Sequence, residues 1–140
     1  MNFSIDKDKL QKLLIEHQKV VPLRTTLPVL SCALLKIENK TLTIKTTDLE
    51  QTIISTNEVI DQQEGEVCVP MSRFYEIISA LPNEEIKINS NNDFLIEINS
   101  NQGTYKITGR NTAEFPETNK ENKTEELELL GKDFLDIIEK

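Results

Sequence analysis

Apolar and polar positions along this chain follow two different periods, and the points where the period changes mark its elements. Phe3-Ser4-Ile5 alternates, which suits a strand over residues 2–6. From Lys7 the period becomes helical. Leu10, Leu13, Leu14, His17 and Val21 fall on one side, and Lys9, Lys12, Glu16 and Lys19 on roughly the opposite one, so a helix is predicted over 7–20. Asp6 stands at its N-cap, Asp8 in its first turn, and Pro22 ends it. Residues 23–28, LRTTLP, have no period and read as a loop. Three strands follow at 32–37, 41–45 and 49–59, with turns at 38–40 and 46–48 and a polar loop at 61–65.

The second half repeats the first. Val67-Cys68-Val69 alternates, Ser72 stands as a helix N-cap, and Phe74, Ile77, Ile78 and Leu81 form the apolar side of a helix that Pro82 ends. Strands at 86–88, 94–98 and 104–107 come next, separated by the turn-forming runs Asn91-Asn92-Asp93 and Asn101-Gln102-Gly103. The spacing of Phe3, Ile5, Leu10, Leu13 and Leu14 recurs in Val67, Val69, Phe74, Ile77 and Ile78, and again in Leu127, Leu129, Phe134, Ile137 and Ile138. Three matches with no gap shifted define an internal repeat. The fold class is therefore α+β, built from units of strand, helix and three strands. Two units fill about 1–62 and 63–112, a polar linker covers 113–124, and a third unit begins at 125 and stops within its helix at Lys140, as if cut off.

Composition narrows the function. At 140 residues the chain supports one ordinary core. There is no signal-peptide pattern at the start, and no run approaches the ~20 apolar residues of a membrane span, so a cytoplasmic protein is expected. A net charge of -8 repels nucleic acid at long range. The distribution is uneven, however. Residues 7–24 hold Lys7, Lys9, Lys12, Lys19 and Arg24 against Asp8 and Glu16, a local +3 that leaves -11 elsewhere. Arg73 falls at the repeat position of Lys9, so both are expected on one side of the helix pair. Such a basic face fits a polyanion track on an otherwise acidic molecule; a merely solvated helix face is the competing reading.

Chemistry is sparse. Cys32 and Cys68 lie in strand-like apolar segments without a C-x-x-C or a nearby histidine, which suits buried reduced thiols, although spacing alone leaves a disulfide open. His17 completes an apolar helix face. Asp48 and Glu50 share a strand parity that an acid/base or metal pair would need, but no third ligand type stands near them. No phosphate-cradling glycine motif is present. No enzymatic activity, metal or cofactor is expected.

Several stretches resemble one family in order along the chain: MNFSIDKDKLQKLL, Arg24-Thr25-Thr26-Leu27-Pro28-Val29-Leu30, Thr47-Asp48-Leu49-Glu50, Val69-Pro70 with Phe74 to Pro82, and Ala113-Glu114-Phe115-Pro116. The family is the bacterial DNA sliding clamp, the β subunit of the replicative DNA polymerase. The resemblance implies the DNA-clamp fold: a head-to-tail homodimeric ring around duplex DNA, three similar domains per subunit, helices lining the hole and sheets outside. It implies a processivity factor that tethers the replicative DNA polymerase, with a clamp loader as a further partner of the full-length protein. This chain matches the first domain and the opening of the second. By position, Arg24 and Arg73 are implied as contacts to the DNA backbone; Lys9 and Lys12 are added from the helix phase. Ile77, Leu81, Tyr105 and Ile107 are implied at the subunit interface, although the helix period also places Ile77 and Leu81 in the core. A small acidic α+β interaction module without DNA binding is the alternative.

Overall fold

The computed structural model describes residues 1–22, 25 and 27–116; the third copy of the repeat lies outside the described residues. The elements are β1 Asn2–Asp6, α1 Lys7–Gln18, β2 Cys32–Glu38, β3 Thr41–Thr47, β4 Thr52–Glu58, β5 Ile60–Gln63, β6 Gly65–Pro70, α2 Met71–Ala80, β7 Glu85–Ser90, β8 Leu95–Ser100 and β9 Gly103–Thr108. Short 3-10 helices occupy Pro28–Ser31 and Thr112–Glu114.

The two units interlock. β1 leaves β2, β3 and β4 of its own unit and pairs with β7, with Phe3 opposite Ile88 and Ile5 opposite Ile86. β6 in turn pairs with β2, with Val69 opposite Ala33 and Val67 opposite Leu35. The sheets are therefore β5-β1-β7-β8-β9 and β4-β3-β2-β6, all of whose pairings are antiparallel. Each unit donates its first strand to the other.

One core joins both sheets and both helices. Phe3, Leu10, Leu14, Leu35, Leu42, Phe74, Ile78 and Ile88 are fully enclosed in it. The predicted helix faces are the buried ones: Leu10, Leu14 and His17 in α1, and Phe74 and Ile78 in α2. A satellite cluster of Val29, Cys32, Cys68 and Phe115 packs on the outer side of β2 and β6. Phe115 belongs to this cluster, so the start of the predicted linker packs onto the first two units.

Several local expectations are corrected. The polar loop predicted at 61–65 is largely strand: residues 61–63 belong to β5, which pairs with β1 at Ile60 opposite Ser4 and Gln63 opposite Asn2 and whose run of Asp and Gln gives no apolar period. The turn expected at 46–48 lies later, because β3 runs through Thr47 and β4 starts only at Thr52. Leu49 sits at φ 80 in that turn. The Asp48 carboxylate accepts from the backbone N–H of Gln51 at 2.6 Å and of Glu50 at 2.9 Å. Neither helix has a side-chain cap, and α2 is entered from Pro70 instead of Ser72. The β2–β3 hairpin closes on Asn39 and Lys40 with φ 53 and 63, the primed two-residue turn that suits sheet twist.

Candidate nucleic-acid interface

The helices pack side by side and antiparallel. Gln11, early in α1, donates to the Ser79 hydroxyl, late in α2, at 3.3 Å. At the other end Gln18 shares the wall of a small cleft with Met71 and Ser72. This direction follows from the strand exchange, which relates the two units by an approximate twofold.

Lys9, Lys12 and Arg73 are all exposed on this helix pair. Lys9 and Arg73, expected on one side of the helix pair, are both exposed, and the antiparallel arrangement spaces them apart along it. Each is near the start of its own helix, so they lie at opposite ends of the pair, separated by roughly one ten-residue helix length of ~15 Å. Arg73 is instead near the end of α1 that carries Lys19. Arg24, which follows that end in sequence, lies outside the described residues. Lys7, counted with the basic helix, is 8% exposed and contributes little to the face; its backbone N–H donates to the Glu84 carbonyl at 2.9 Å.

Three of the four exposed cations have carboxylate neighbours. Lys12 pairs with Asp8 at 3.2 Å, Lys19 with Glu16 at 3.3 Å and Arg73 with Glu76 at 3.8 Å. Lys9 makes no ion pair among the described residues. Exposed pairs of this kind contribute ~0–1 kcal/mol, so their carboxylates hold these cations only loosely. The exposed charges named on this layer nearly balance.

The interface set divides. Leu81 and Ile107, 3% and 7% exposed, are taken up by the chain's own core, and Ile77 packs partly against it. Tyr105 is 37% exposed on β9, the last strand of the five-stranded sheet.

Other polar groups are structural. His17 is fully buried, with Nδ1 2.7 Å from the Thr46 hydroxyl and Nε2 2.9 Å from the Ser55 hydroxyl. Burial lowers its pKa to about 4, against a smaller upward pull from Glu16. The sequence-adjacent signal missed this network because Thr46 and Ser55 come from β3 and β4. Ser55, His17 and Thr46 connect like a nucleophile, base and orienting group, but a hydroxyl where a carboxylate would orient the ring, and an imidazole held this acidic, do not make a competent base. Asp48 is engaged in its turn, and its backbone hydrogen bonds from Gln51 and then Glu50 hold its carboxyl below the ordinary range. Cys32 and Cys68 are free, buried thiols. Burial raises both, Cys68 to about 12. No helix among the described residues is long and apolar enough to cross a membrane.

Two interlocked strand–helix–strand units with a paired helix layer define a DNA-clamp type of domain, and the comparisons agree. Residues 1–119 match the family described as DNA polymerase III beta subunit, N-terminal domain. The chain belongs to that family. It is 25% identical over 116 residues to the beta sliding clamp of Chlamydia pneumoniae, covering 83% of this chain and 32% of that one. A beta sliding clamp of Vibrio harveyi is 28% identical over 141 residues, covering 100% of this chain and 97% of that one. Among solved structures, the DNA polymerase III subunit beta of Pseudomonas aeruginosa superposes with a TM-score of 0.82 at 28% identity, covering 89% of this chain and 34% of that one. The chain thus spans about a third of the length of the Chlamydia relative and of the Pseudomonas structure.

Proposed function

We propose that this chain is the DNA-facing first domain of a non-enzymatic processivity factor, part of a ring that encircles duplex DNA in the cytoplasm and tethers the replicative polymerase to it. Family membership carries the reading, together with the exposed cations Lys9, Lys12, Lys19 and Arg73 on one helix layer. The mechanism is topological. Phosphate contacts are blind to sequence, and on this surface Lys12, Lys19 and Arg73 each have a carboxylate to return to, so no contact pins the ring in place. Tethering then raises the polymerase's effective concentration at the primer end to roughly millimolar. Arg24 and Arg73, with Lys9 and Lys12, are the proposed phosphate contacts. Tyr105 and the exposed part of Ile77 are the proposed subunit contact, supported from beneath by Leu81 and Ile107. Residues 1–112 form the first clamp domain in this reading and 125–140 begin the second. The clamp loader and polymerase are partners of the full-length ring.

The experiment is binding of a fluorescent duplex read by anisotropy at several salt concentrations. Weak binding is expected, with Kd on the order of 10⁻⁴–10⁻⁶ M at physiological salt, and the log–log salt slope should fall by ~1 in Arg24→Ala and in Arg73→Ala. Identical slopes in wild type and both variants would favour the acidic interaction module instead.

A further inference from the structure

β1 runs further than one of its two neighbours. Its pairing with β7 continues to Asp6 opposite Glu85, whereas its pairing with β5 stops at Ser4 opposite Ile60. The missing pairing leaves a notch where β4 passes into β5. A cleft of about 190 Å³ occupies it, and Ser4, Asp6, Lys9, Glu58, Ile60 and Glu85 are among the residues that line it. Three of these six are exposed carboxylates, against one cation. Asp6 and Glu85 stand directly opposite each other, a like-charge pairing that weakens a sheet. None of the three carboxylates has an ion pair among the described residues. Asp6 does not cap α1 either, since its side chain makes no cap hydrogen bond.

Ser4 points to a ligand independently of the charges. It is 4% exposed, and its hydroxyl has no hydrogen-bond partner among the described residues. Phe3 and Ile5 enter the core, so alternation turns Ser4 to the side that carries Asp6 and, opposite it, Glu85. A buried hydroxyl left unpaired is costly unless a group from outside satisfies it.

The spacing of the acceptors selects the cation. Among the described residues no three carboxylates stand close enough to hold a metal ion. A compact cation would therefore leave some of them unsatisfied. A guanidinium spreads five N–H donors over a plane and suits acceptors that stand apart. Ile60, 55% exposed at the rim, offers apolar surface to a methylene stem. Lys9, on the α1 side, repels an incoming cation toward the strands. We propose that this notch takes an arginine side chain of a protein partner. Its guanidinium donates to Asp6, Glu85 and the Ser4 hydroxyl, Glu58 adds charge from β4, and its stem lies on Ile60. Nothing in the proposal depends on the DNA reading.

Two-dimensional amide NMR of the full chain tests this, with the capped peptide acetyl-Ala-Arg-Ala-amide and its citrulline counterpart as probes. The arginine peptide should shift the amide signals of Ser4, Asp6, Glu58 and Glu85 saturably, and the uncharged citrulline peptide should not. Asp6→Asn and Glu85→Gln should each weaken binding by about threefold, as loss of one exposed ion pair does. Ser4→Ala should weaken it as well and leave the thermal midpoint unchanged, because the hydroxyl has no partner within the described chain to lose. Equal shifts from the citrulline peptide, the same shifts from magnesium chloride, or shifts that spread over the acidic surface without saturating would each overturn the proposal. So would a Ser4→Ala variant with a lowered midpoint and undiminished binding, which would give the hydroxyl to the fold. The salt slopes for Arg24 and Arg73 are read separately, so the DNA reading stands or falls on its own.

Discussion

His17 shows how a residue's role depends on what surrounds it. Its imidazole is enclosed between two hydroxyls and favours the neutral form in the folded state. The unfolded chain binds the proton more readily, with a pKa near the ordinary histidine value of 6.5 against about 4 when folded. Stability from this group is therefore complete above pH 6.5 and declines as pH falls toward 4, by up to about 3 kcal/mol. Urea unfolding across that interval should show the decline in wild type and a flatter curve in His17→Asn, with common carboxylate effects cancelling in the comparison. The two cysteines make a second residue-scale prediction. Only a thiolate reacts, and burial raises both thiols. A thiol-specific chromogenic reagent at neutral pH should modify neither Cys32 nor Cys68 in the native protein and both after denaturation. The sequence indicated buried thiols and a core histidine, because apolar neighbours at strand and helix periods are local information. It did not indicate Thr46 or Ser55 as partners, because they arrive through long-range packing.

Among the elements, each helix buries an apolar face in the core and leaves cations exposed beside it. Phe74 is fully enclosed, and its neighbour Arg73 points outward. Phe74→Ala should cost about 3–5 kcal/mol, while Arg73→Ala should stay within about 0.5 kcal/mol and act only on DNA affinity. Denaturant midpoints of the two variants check this directly. A tighter constraint closes the satellite cluster. At Gly109 an added Cβ would stand 2.5 Å from the Cys68 carbonyl oxygen and 2.9 Å from that of Phe94. Neither backbone group can retreat without breaking the Cys68–Arg110 bridge. Gly109→Ala should therefore lose about 1–3 kcal/mol and lower the thermal midpoint by several degrees.

At the scale of the whole molecule, the exchange of first strands makes the two repeats inseparable. β1 has its long pairing with β7, about eighty residues away in sequence, and β6 has its pairing with β2. A chain of residues 1–62 alone leaves β1 without that partner and the inner faces of β2 and β3 without Val67 and Val69. It should be unfolded by circular dichroism, and mixing it with residues 63–140 should recover sheet signal. A folded 1–62 fragment would mean that β1 can satisfy itself within its own unit.

The sequence by itself determined the two repeats within residues 1–112, the order of their elements apart from β5, and which side of each helix enters the core. Those are local properties: side chains at a period of two or 3.6 residues face one way whatever they later meet. Tertiary structure decided the rest. It sent β1 and β6 into each other's sheets, added β5 from a polar segment, and set the helices antiparallel. Lys9 and Arg73 consequently stand at opposite ends of one layer, Lys7 is buried, and Leu81 and Ile107 belong to the core. Choosing a strand's partner depends on backbone hydrogen bonds and apolar faces supplied from far along the chain, and no local period records which distant strand will supply them.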